Sequence, residues 1–65
     1  MKLGPYLAKE KITPGAFAER IGVSVQAVHR YVGDERVPHR DVMQRIIEHT
    51  HGEVQPNDFF ERAVA

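Results

Sequence analysis

Apolar residues recur at three- and four-residue intervals along this chain and are interrupted by Gly4-Pro5, Pro14-Gly15, Gly22, Gly33, Pro38, Gly52 and Pro56. The spacing between these breakers is helical, not alternating, so the pattern predicts helices. A first helix is expected from about Leu3 to Lys11, with Leu3, Tyr6, Leu7 and Glu10 in helical period and Pro5 tolerated in the first turn. Thr13-Pro14 is a start signal, Thr13 as cap and Pro14 at the first helical position. Phe17, Ala18 and Ile21 then share one face, while Glu19 and Arg20 face water. Gly22 is expected to end this helix in a left-handed conformation, Ser24 to cap the next helix and Gly33 to close it. Residues 33–38 read as a polar loop. A fourth helix is expected from about Arg40 to Thr50, burying Val42, Met43, Ile46 and Ile47 and wetting Gln44, Arg45 and Glu48. Gln55-Pro56 opens a last short helix carrying Phe59 and Phe60. The expectation is an all-α fold, a compact bundle of about five short helices forming one domain over residues 1–65.

A domain this small buries only about 60% of its unfolded surface, so helix packing or oligomerisation has to supply its stability. The chain has no cysteine, which excludes a disulfide or a Cys-based zinc site and fits a reducing cytosol. No run approaches the roughly 18 apolar residues of a membrane span, and no signal peptide is discernible. A soluble, cytoplasmic protein without a membrane partner is expected.

Net charge is zero, but it is unevenly distributed. Residues 1–40 carry seven Lys and Arg against four Asp and Glu, a net of +3, and residues 41–65 carry two against five, a net of −3. A dipolar domain can dock its positive side on phosphates.

The third helix concentrates the chemistry. At roughly 100° per residue, Val28, Tyr31 and Val32 point to one side, and Gln26, Arg30 and, at the margin, His29 to the other. Glutamine pairs bidentately with adenine and arginine with guanine in the major groove, and Val25 is placed to touch a thymine methyl. Small residues such as Ala27 keep the helix slim. Ser24 and the free amides at the helix start can hold a phosphate. The preceding helix has to pack closely across this one, for which Ala18 is small enough, and Gly22 supplies the sharp turn between them.

Phe17-Ala18, Ile21-Gly22-Val23-Ser24, Val28 and Tyr31 stand at the spacing of the helix-turn-helix of phage Cro and CI repressors. The chain resembles that xenobiotic-response-element class, and the segment from Gly33 to Phe60 resembles the loop, fourth helix and tail of short Cro-like and YdaS-type proteins. The resemblance implies a lambda-repressor-like fold with a supporting helix at about 14–21 and a recognition helix at about 25–32. It implies base reading by Val25, Gln26 and Arg30, flanking or phosphate contacts at Ser24, Ala27, His29 and Arg36, and turn and packing roles for Ala18, Gly22, Val28 and Tyr31. The implied function is a prokaryotic or phage transcription regulator, a repressor binding double-stranded DNA as a homodimer on an inverted repeat. Many family members have glutamine where this chain has Pro14, and proline lacks the amide that meets a phosphate there. The acidic pair Asp34-Glu35 is a second departure, expected to weaken affinity.

The alternative is a protein-interaction module or antitoxin on the same scaffold, with Phe59 and Phe60 as the dimer or partner surface. His49 and His51, two apart, would share a metal only beyond a helix end, and no metal or other cofactor is expected. No nucleophile, base and orienter are grouped, and no phosphate-binding glycine loop is present, so enzyme activity is not expected.

Overall fold

In a computed structural model, which describes residues 1–60, the helical periods become four α-helices and one 3-10 turn. The helices are α1 Leu3–Glu10, α2 Pro14–Ile21, α3 Val25–Val32 and α4 Arg40–His49. The described residues contain no strand. The expected fifth helix is only the single turn Pro56–Phe59. Its polar groups are satisfied locally, because the Asp58 carboxylate accepts the Gln55 N–H at 2.8 Å. Burial pushes the Asp58 carboxyl up, but this hydrogen bond and the α-ammonium of Met1 at 3.1 Å outweigh it and hold the group below its ordinary range. Glu61 and Arg62, which entered the charge balance, and the end of the 1–65 domain lie outside the described residues.

The starts of α2 and α3 follow the caps read from the sequence. Thr13 Oγ1 accepts the Ala16 N–H at 3.1 Å, and Ser24 Oγ accepts the Ala27 N–H at 3.2 Å, each satisfying one of the orphan amides of a helix start. The helix ends follow a less expected rule. Each is closed by a residue with positive φ: Lys11 (57°), Gly22 (73°), Asp34 (61°) and His51 (55°). In each case the amide of the next residue returns to a carbonyl in the last turn: Ile12 to Leu7, Val23 to Ala18, Glu35 to Arg30 and Gly52 to Ile47, at 2.9–3.0 Å. This is the Schellman closure, and glycine is its usual left-handed residue. Only Gly22 fills that role as expected. At the end of α3 the left-handed position has moved one residue past Gly33, which has φ −83°, onto Asp34. Aspartate is among the residues that tolerate this region.

The core lies where α2 meets α3 and α4. Phe17, Ile21, Val28 and Ile46 are fully buried, joined by Leu3, Tyr6 and Leu7 of α1 and Val42 and Met43 of α4. Ile47 is only partly buried at its edge. Two core residues escape the helical pattern. The buried Thr50 hydroxyl donates to the Ile46 carbonyl at 2.8 Å and accepts the Val54 N–H at 3.2 Å, so Val54 can be buried beyond the helix end. Lys9 of α1 forms an ion pair with Glu53 and lies 5.6 Å from the centre of the Tyr6 ring.

Left-handed backbone costs a non-glycine residue about 1–2 kcal/mol, while glycine loses about 0.5–1 kcal/mol more chain entropy on folding. Lys11→Gly is therefore expected to stabilise the domain by about 0.5–1 kcal/mol, and Gly22→Ala to destabilise it by about 1–2 kcal/mol. Thermal melting of both variants checks this, and an unchanged or lowered midpoint for Lys11→Gly contradicts it.

Candidate nucleic-acid interface

The helical period of α3 sorts its side chains into an anchored side and an open side. Val28 and Tyr31 are buried, as is Ala27 at 8% exposure. Gln26, His29 and Arg30 are exposed, and Val25 is 38% exposed. Two expectations are corrected. Ala27 is not a flanking outward contact, because it lies on the Tyr31 side of the helix, where its methyl packs inward. Val32 is not part of the anchor. It is 40% exposed at the last turn, near the azimuth of Val25 roughly two turns earlier.

Two neighbours hold α3 in place. α2 makes the most extensive helix pairing in the molecule with it. Only Gly22, Val23 and Ser24 separate the two helices, and Ala18 on α2 is buried. The Ser24 oxygen is occupied by the Ala27 amide, which leaves its hydroxyl proton to donate outward. At the other end, the Lys2 ammonium lies 3.3 Å from the Asp34 carboxylate. The acidic pair is thus half neutralised within the chain, and Glu35 and Arg36 extend beyond it as exposed loop residues.

Arg45 is exposed, as expected for the wet face of α4, but its guanidinium also reaches across to α2. Its Nη1 donates to the Ile21 carbonyl at 3.1 Å and so caps the end of α2 beside Gly22. A side chain added at Gly22 would come within 3.5 Å of the same nitrogen. The contact spans 24 residues of sequence, so no local signal could disclose it. Phe59 and Phe60 divide between two environments. Phe59 is buried and leaves the candidate partner surface, while Phe60 is 59% exposed and remains on it.

The described residues have no pocket for a small molecule and no group of three His, Asp or Glu side chains placed to hold a metal ion. No described helix is long and apolar enough to cross a membrane. The one broad chemical feature is the convex open side of α3: an amide, an imidazole and a guanidinium beside an exposed valine, with Ser24 at one end and Arg36 beyond the other. No family model, curated protein or solved structure matches the chain.

Arg45→Met is expected to keep the fold but lose about 0.5–1.5 kcal/mol, the net worth of one hydrogen bond. A urea midpoint equal to that of the parent chain contradicts the capping role of Arg45.

Proposed function

We propose that this chain is a sequence-specific double-stranded DNA-binding regulator with α2 and α3 as its helix-turn-helix. The carrying observation is the sorting of α3, whose buried Ala27, Val28 and Tyr31 leave Val25, Gln26, His29 and Arg30 exposed together. Gln26 and Arg30 lie one turn apart: an amide can donate to N7 and accept from N6 of adenine, and a guanidinium can donate twice to guanine. Val25 is the apolar contact for a thymine methyl, and Ser24 and Arg36 meet phosphates on either side. The net +3 of residues 1–40 supplies attraction to the duplex, despite the neutral total. In this reading the protein acts as a cytoplasmic homodimer, a repressor on an inverted repeat whose half-sites lie about 34 Å apart.

A second reading, a protein-interaction module or antitoxin on the same scaffold, is favoured by the exposure of Phe60.

Selection of bound sequences from a pool of randomised duplexes tests both. The DNA reading predicts recovery of an inverted repeat. It also predicts that Arg30→Ala lowers affinity for that repeat by about 1–3 kcal/mol and relaxes preference at one base pair of each half-site. Recovery of no preferred sequence contradicts base reading and directs the search to a protein that binds at Phe60.

A further inference from the structure

The N-terminal end of α1 meets the C-terminal end of α3 beside the buried Leu3 and Tyr31, with Gly4 against Val32 and Lys2 against Asp34. Gly4 lies in the first turn of α1 with no positive φ, so its backbone conformation suits any residue. The limit at this position is space. A Cβ added to Gly4 would lie 3.1 Å from Val32 Cγ1, tighter than ordinary carbon contacts, so one of the two has to give by a few tenths of an ångström. A change of rotamer at Val32 is costly, because a β-branched side chain in a helix has one strongly preferred rotamer, so the shift falls on the spacing of the two helix ends. Two residues before Gly4, the Lys2 ammonium reaches both oxygens of Asp34 at 3.4 and 3.3 Å. Asp34 is the left-handed residue that closes α3. Its amide returns to the Tyr31 carbonyl and that of Glu35 to the Arg30 carbonyl. Lys2 and Gly4 thus engage the last turn of the helix and its closure together.

We infer that Lys2 and Gly4 are positioning residues for the reading helix and form a brace that fixes the C-terminal end of α3 without touching DNA. The inference rests on the reading of α3 as the base-contacting helix. The turn at Gly22 holds the N-terminal end of α3, and the brace holds the other. A helix of eight residues is only about 12 Å long, so lifting one end by half an ångström tilts the whole row of reading side chains. Bidentate pairing at two adjacent positions is sensitive to such a tilt, whereas phosphate contacts made by flexible side chains tolerate it. The brace therefore acts on discrimination between sequences more than on affinity for DNA in general. The Lys2 ammonium also keeps the Asp34 carboxylate from repelling the phosphates nearest the end of α3.

A cycle of Gly4→Ala, Val32→Ala and the double variant tests the brace. The readouts are enrichment of preferred sequences from a pool of randomised duplexes and the amide NMR spectrum of the free protein. The expected result for Gly4→Ala is a several-fold loss of preferred-over-random binding, with shifts of the Gln26–Arg30 amides. Adding Val32→Ala, which makes room for the new methyl, restores both. As a second variant, Lys2→Met lowers preferred-over-random enrichment and shifts the amides at the end of α3, and a uniform loss across all sequences with unmoved amides overturns the part of Lys2 in the brace. A Gly4→Ala protein with unchanged enrichment and unmoved α3 amides overturns the brace and leaves the DNA reading intact. A parent chain that enriches no sequence overturns the DNA reading and with it the purpose of the brace, whatever the amides do. Loss of enrichment that Val32→Ala does not restore also overturns it, because the loss then has a source other than this contact.

Discussion

A helix of eight residues leaves about half of its backbone groups without intrahelical partners, so the way each helix ends governs this fold. Four helices are closed within a chain of 65 residues, α1 to α3 each by one left-handed residue and α4 by the left-handed pair His51-Gly52, and in each the amide after the first of these returns to the last turn. These closures allow the chain to change direction between helices and to gather a core around Phe17, Ile21, Val28 and Ile46. At three of the four positions the residue is not glycine, and the conformational cost is carried by packing on either side. The closure at Gly22 has the least freedom, because it must also bring α2 and α3 together across three residues and leave room for the Arg45 guanidinium on the Ile21 carbonyl.

The packing that follows sets the orientation of α3. Ala27, Val28 and Tyr31 face the bundle, and the remaining side chains of that helix have nowhere to go but outward. The open face of α3 is therefore a by-product of core formation. Polar residues occupy the positions the core does not use, and the core fixes their direction. A helical period carries direction as well as secondary structure, so Val28 and Tyr31 were legible as inward and Gln26 and Arg30 as outward, while Ala27 and Val32 were not placed correctly.

What was legible was local. The Thr13 and Ser24 caps, the left-handed Gly22, the buried faces of α1 and α2 and the outward Gln26 and Arg30 all depend on residues within one or two turns of each other. What was not legible needed the tertiary structure. Asp34 takes the left-handed position in place of Gly33, and its partner Lys2 lies 32 residues away. Arg45 is exposed as its helical period implies, and its bond to the Ile21 carbonyl emerges only once the end of α2 is placed beside it. Thr50 and Val54 are core residues only because a hydroxyl replaces the carbonyl that a longer helix would have supplied. The adjacent phenylalanines gave no sign of which would turn inward, since a 3-10 turn separates neighbouring side chains widely. The DNA partner rests on different ground. The directions of the side chains come from the fold, and the base they would meet comes from the chemistry of an amide and a guanidinium one turn apart.

The central claim is that the open side of α3 meets DNA, and chemical-shift mapping tests it most directly. The amide spectrum of the protein would be followed as mixed-sequence duplex is added at low salt, where even non-specific complexes form. The account predicts that the largest shifts fall on Ser24 to Arg30 and on Arg36, with α4 and Phe60 little changed. Shifts centred on α4 or Phe60, or none at any duplex concentration, would contradict it.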